Sequence, residues 1–169
     1  MAERLRYLGG SEMLFPRGDY RWVDVRRFEV VEPAAAVEVL ASLIASPWYD
    51  HGYDVPRSDA ADPGGRVHGP YKLDAIRASK FNPIDRDRVL TRLRMWADLH
   101  GPQPESFSSD LEAFVESVVP VGFDVWELPL LGTLARREWG DVVGVDGFHE
   151  FVAISPGRNL LNLVVAADD

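Results

Sequence analysis

FHEFVAISPGRNLLNLVVAA, residues 148–167, places two runs of β-forming residues on either side of Pro156-Gly157-Arg158-Asn159. Pro, Gly and Asn are turn residues, so the stretch reads as a hairpin with those four as its loop. In that register Ile154 faces Leu161, Val152 faces Leu163, and Glu150 faces Val165 on the same side. Shorter loops would mix polar and apolar partners on one face, which disfavours them. Glu150 then lies on an apolar side and needs a partner or a raised pKa. Such a carboxylate serves as a general acid or base, or sits at the sheet end, or pairs with an arginine.

Working backwards from the hairpin, Phe123–Leu128 is a strand candidate and Leu134–Val145 should contain another. Two helices precede them. Asn82-Pro83-Ile84-Asp85 reads as a helix entry, with Asn as cap and Pro at the first position. Val89, Leu93 and Trp96 form its apolar face, joined by Leu90 and Ala97, and Gly101-Pro102 stops it. Ser109 and Glu112 have capping-box spacing, followed by Leu111, Phe114, Val115 and Val118 at helical intervals. At the other end of the chain, Glu12–Phe15 and Tyr20–Val31 read as an antiparallel pair around a turn at Pro16–Asp19. Pro33 opens a further helix whose face is Val37, Leu40, Ala41 and Ile44, widened by Val39 and Leu43. The fold class implied is α+β. It is an antiparallel or mixed sheet packed on one side by about three helices, with a C-terminal β-hairpin, in a single domain over residues 1–169.

Composition agrees with one packed domain. The chain has 169 residues, 46% hydrophobic and 11% aromatic, enough to bury a self-sufficient core. It contains no cysteine, which removes thiol nucleophiles, disulfides and Cys-ligated metal centres. No apolar run follows the first charged residues, and none reaches the ~18 residues of a spanning helix. The expectation is a cytoplasmic protein with no membrane partner. Acidic residues number 27 against 18 basic, a net charge of −9. That balance repels polyanions, arguing against nucleic acid, and favours a basic protein partner.

The residues that could carry chemistry gather in one place. Residues 47–70 hold four Pro, four Gly, four Asp and two His, with little periodicity, and read as a long loop. Trp48, Tyr49, Asp50, His51, Tyr53 and Asp54 form the candidate interaction surface, since aromatics with polar tips dominate binding hot spots. Asp50, His51, Asp54, Asp59, Asp62 and His68 have the donor types for a divalent ion, but their spacing matches no EF-hand or zinc pattern, so no metal or other cofactor is expected. Arg88 and Arg92 lie four apart on one helix face and form a candidate anion site. His149-Glu150 is not a zincin motif, because the fifth position is Ala153. No phosphate loop, dinucleotide fingerprint or nucleophile elbow occurs.

Three functions follow from these features. The first is a non-enzymatic acidic binding protein, of the immunity or antitoxin type, neutralising a basic partner. The second is a small hydrolase using carboxylates and His51 in the 50–68 loop. The third is an anion or small-ligand module at Arg88 and Arg92. The absent catalytic motifs and the negative balance favour the first.

Overall fold

The computed structural model describes residues 3–15, 20–54, 66–138, 140 and 147–168. Six strands make one antiparallel sheet. They are β1 (Leu5–Leu14), β2 (Arg21–Val30), β5 (Asn82–Ile84), β6 (Asp124–Leu128), β7 (His149–Ile154) and β8 (Leu160–Asp168), in the order β1-β2-β8-β7-β6-β5. A two-stranded ribbon of β3 (Val67–His68) and β4 (Tyr71–Lys72) lies apart from it. The helices are α1 (Ala36–Ala45), α2 (Arg86–Ala97) and α3 (Glu105–Val118). β8 inserts between β2 and β7, so the last strand of the chain joins its first and final thirds.

The β7–β8 hairpin has the register that its four-residue loop demands. Ile154 pairs with Leu161, Val152 with Leu163 and Glu150 with Val165. The loop closes through Ser155, whose Oγ accepts from the N–H groups of Asn159 and Leu160 at 3.2 and 3.0 Å.

The antiparallel sheet and the three helices match the expected class, but the helices are divided between its two faces. Trp22, Phe28, Val152, Leu161, Leu163 and Val165 pack with Val39, Leu40 and Leu43 of α1. Val23, Val25, Phe151, Ala153, Val164 and Ala166 pack with α2 and α3. The physical reason is visible in β8, buried from Leu161 to Ala167 without alternation. A strand apolar on both faces must be covered on both.

Several local expectations are corrected. β1 begins at Leu5, well before Glu12, and carries a register shift between Tyr7 and Gly9, where Gly9 takes φ +126°. A bulge of this kind hides the strand's alternation. The turn expected at 16–19 lies outside the described residues. Asn82 and Pro83 belong to β5 and do not start a helix. Pro83 is tolerated there because β5 is an edge strand. Asp85 is the actual cap of α2, its Oδ1 accepting from the Arg88 N–H at 2.9 Å. α3 starts at Glu105 behind Pro104, so Ser109 lies inside the helix and not at its cap. The extra turn adds Phe107 to the buried stripe of Leu111, Val115 and Val118. α1 buries Val39, Leu40 and Leu43, while Val37 is 53% exposed. In the span 134–145, where the sequence predicts a further strand, the described residues make part of a 3-10 turn at Thr133–Ala135 and one antiparallel bridge, Arg136 to Tyr71. Residues 139 and 141–146 lie outside the described set.

Candidate functional site

Residues 47–54 and 66–70, the described parts of the 47–70 segment, pack onto the α1 face of the sheet. The segment's first turns follow α1 directly, and its far end returns as β3, which lies beside His51 through a parallel bridge between His51 and His68. The His51 N–H donates to the Val67 carbonyl, and the Gly69 N–H to the His51 carbonyl, both at 2.9 Å. The sheet presents Asp24 and Glu150 opposite Val165 from its two sides, with Arg26 and Val152 likewise flanking Leu163. Two acids and an arginine therefore sit on an otherwise apolar face; the incoming residues supply partners to Glu150 and Arg26, and Arg26 in turn pairs with Asp24.

Glu150 is the centre of the first group. One carboxylate oxygen accepts from the Tyr49 hydroxyl at 2.8 Å, and the other lies 2.6 Å from His68 Nε2. His68 Nδ1 is 2.7 Å from the Tyr49 carbonyl. A carbonyl only accepts, so Nδ1 carries a proton and donates it. The short Nε2–Oε2 contact then holds one more proton between imidazole and carboxyl, as an ion pair or as a neutral pair. The Tyr49 ring also stacks on His68, with centroids 3.6 Å apart and planes inclined by 7°. Both side chains of the His68–Glu150 pair are fully buried. Burial, followed by the Glu150 charge and hydrogen bond, raises the Tyr49 hydroxyl well above its ordinary value. Phe148 and Tyr53 set their rings edgewise or tilted around His68 and close the group.

Arg26 holds the second group. Its Nη1 donates to the Trp48 carbonyl at 2.7 Å, its Nε to Asp24 Oδ2 at 3.2 Å, and its guanidinium lies 5.5 Å from the Tyr53 ring centre. Burial opposes the charge, but Tyr53 and Asp24 outweigh it and hold the guanidinium more firmly protonated than usual. Tyr53 itself takes φ +55°, a costly conformation for a bulky residue. The His51 ring supports it, Nδ1 accepting from the Tyr53 N–H at 3.0 Å. Burial raises the Tyr53 hydroxyl, with Arg26 acting against the rise.

The candidate interaction residues therefore divide. Tyr49, His51 and Tyr53 are buried. Trp48 is half-buried and stacks on Tyr7 at 3.8 Å. Asp50 accepts from the Arg66 and Val67 N–H groups, both at 2.9 Å. Asp54 is exposed and lies 3.9 Å from Arg137. The donors considered for a metal are thus engaged with protein groups, Asp59 and Asp62 lie outside the described residues, and among the described residues no cluster of three suits a metal ion. Of the candidate anion pair, Arg92 is committed to Glu127 through Nε at 2.5 Å, whereas Arg88 is exposed. No helix among the described residues is long and apolar enough to cross a membrane.

The sequence signals Glu150 as a carboxylate in need of a partner, yet Tyr49 and His68 stand 101 and 82 residues away in the chain. Only the fold brings them together. A second feature has no sequence signal. A groove of about 920 Å³ opens between the end of β1 and α3, lined by Glu12, Met13, Leu14, Phe107, Asp110 and Phe114 among others. Neither protein-family models nor curated proteins give a match to this chain, so the function must be argued from its own geometry.

Proposed function

We propose that this chain is a non-enzymatic, acidic protein-binding protein whose partner is a basic protein, in the manner of an immunity or antitoxin-type neutraliser. One observation carries the reading: the residues best equipped for acid–base chemistry are spent on each other. Tyr49, His68 and Glu150 satisfy one another in a closed group, and His51 is buried with its Nδ1 taken by a backbone N–H. A general acid or base must reach a substrate proton at hydrogen-bond distance, and these groups face protein. The surplus of negative charge, −9 overall, remains for recognition. Charge of one sign steers an oppositely charged macromolecule and speeds its encounter.

The test is purification of the chain's partner from its native extract, followed by stopped-flow association at several salt concentrations. A basic protein should emerge, with an association rate falling on the order of 10-fold from low to physiological salt. A small neutral ligand, or a rate indifferent to salt, would sink the proposal.

A further inference from the structure

The hydrogen bonds of the buried Tyr49–His68–Glu150 group fix how many protons it holds. The Tyr49 hydroxyl has one proton and gives it to Glu150 Oε1 at 2.8 Å. His68 Nδ1 lies 2.7 Å from the Tyr49 carbonyl, and Nε2 lies 2.6 Å from Glu150 Oε2. Both of those oxygens are acceptors, so each contact needs a proton of its own. A neutral imidazole beside a carboxylate brings only one. The closed group therefore carries one proton more, as imidazolium with carboxylate or as imidazole with carboxylic acid.

The neighbouring charges do not replace that proton. On β2, Asp24 and Arg26 pair with each other at 3.2 Å, and Arg26 Nη1 is turned to the Trp48 carbonyl. Glu150 has no ion pair to arginine or lysine among the described residues. Within the segment, His51 Nδ1 is taken by the Tyr53 N–H, and Arg137 Nε donates to the Gly69 carbonyl at 2.7 Å. Burial keeps the hydroxyls of Tyr49, Tyr53 and, on β4, Tyr71 protonated beyond their ordinary range. Arg136 bridges to Tyr71, Tyr7 of β1 stacks on Trp48, and α1 buries only Val39, Leu40 and Leu43. Remove the extra proton, and a ring lone pair must face an oxygen at 2.6 or 2.7 Å in a dry interior, where such repulsion is strong. Relief requires His68, on the segment, to part from Glu150, on the sheet.

We propose that the His68–Glu150 pair is a proton-operated latch: with its extra proton it holds residues 47–54 and 66–70 on the sheet, and loss of that proton as pH rises lets them go. The latch goes beyond the binding function proposed above and does not depend on the partner. Its sign follows from proton counting. A free imidazole in the opened segment gives up its second proton near pH ~6.5. Above that pH closing takes up one proton, so closure is firmest below it. The opening constant then grows by up to about 10-fold per pH unit, until the closed pair also loses the proton.

The experiment is amide hydrogen exchange on the full chain from about pH 7 to about pH 9, corrected for the intrinsic rise of exchange with pH. The reporters are the His51 and Gly69 amides, whose bonds to the Val67 and His51 carbonyls belong to a ribbon too small to persist away from the sheet. The decisive variant is Glu150→Gln. Its amide oxygen accepts from the Tyr49 hydroxyl and its amide N–H donates to Nε2, so every bond is made to a neutral imidazole without the extra proton. In the wild type the opening constant at His51 and Gly69 should rise by about 10-fold or more across this range, and in Glu150→Gln it should stay level. Amides in the middle of β8 should change less than the reporters in both chains.

A level wild-type profile, or a rise of equal size in Glu150→Gln, would overturn the latch. So would a rise at β8 equal to that at His51 and Gly69, because the whole molecule would then be opening. Proton magnetic resonance of the wild type tests the count even if Glu150→Gln fails to fold. At about pH 7, two exchange-protected downfield protons should show cross-peaks to the His68 ring, one at each nitrogen. A single one would overturn the proposal.

Discussion

Glu150 sits where a carboxylate costs most, on a sheet face between apolar strands, and its survival there depends on two donors brought from the 47–70 segment. Glu150→Ala leaves His68 and the Tyr49 hydroxyl unpaired in the interior. Breaking a buried pair in this way costs about 3–5 kcal/mol, measurable by denaturant unfolding. Tyr49→Phe removes one hydrogen bond to the carboxyl and should cost less, about 1.5–3 kcal/mol. The tyrosines also set an alkaline limit. The hydroxyls of Tyr49, Tyr53 and Tyr71 are all raised, with burial the first cause in each. An unfolded tyrosine ionises near pH ~10, so above that pH the unfolded chain binds fewer protons than the folded one. The tyrosine contribution to stability is therefore whole below about pH 10 and is lost as pH rises beyond it. Urea midpoints should fall with pH in that range, and Tyr49→Phe should flatten the fall. A midpoint that stays level, or an identical slope in Tyr49→Phe, would refute this. Of this site, the need of Glu150 for a partner was legible in the hairpin register. The identity of the partner was not, because a lone His in a Pro- and Gly-rich segment carries no local mark of what it will touch.

At the scale of elements, the sheet also finishes the helices that cover it. Arg21 at the start of β2 donates through Nη1 to the carbonyls of Trp96 and Ala97 at 2.9 and 2.7 Å, closing the end of α2. Asn162 on β8 donates to the Val118 carbonyl at 2.8 Å at the end of α3. The last carbonyls of a helix lack intrahelical donors, so these side chains serve as distant caps. Arg21→Met should destabilise the protein by about 1.5–3 kcal/mol, seen as a lowered melting temperature with earlier loss of protection in α2 amides. The β3–β4 ribbon has its own constraint. Gly69 takes φ +52°, and a Cβ there would meet the Phe148 ring at 2.2 Å. Gly69→Ala should push Phe148 off His68 and cost about 1–3 kcal/mol, with near-ultraviolet circular dichroism altered. Helix starts were the poorest part of the sequence reading, and the reason is common to them. Asn82-Pro83 and Ser109 have capping chemistry, but Asp85 and Pro104 hold the positions where the chain actually turns into helix.

For the whole molecule, the decisive arrangement is β8 in the middle of the sheet, covered on both faces. It puts α1 with residues 47–54 and 66–70 on one side, α2 and α3 on the other, and leaves β1 as an edge strand among the described residues. Under the proposed function the acidic balance acts at long range, so removing exposed acids should slow association with the basic partner and leave dissociation nearly unchanged, because rim charges act mainly on the on-rate. Surface plasmon resonance on the wild-type and substituted chains checks this, and an unchanged on-rate would refute it.

From sequence alone came the α+β class, the C-terminal hairpin with its register, the absence of thiol chemistry and the acidic balance. Each of these depends on neighbouring residues or on sums over the chain, which a linear reading captures. Tertiary structure alone decided the division of the helices between two faces, the joining of Tyr49 and His68 to Glu150, and the groove at the β1 edge. Those depend on contacts between residues far apart in the chain, where burial and charge neutralisation are settled only once the strands have taken their order.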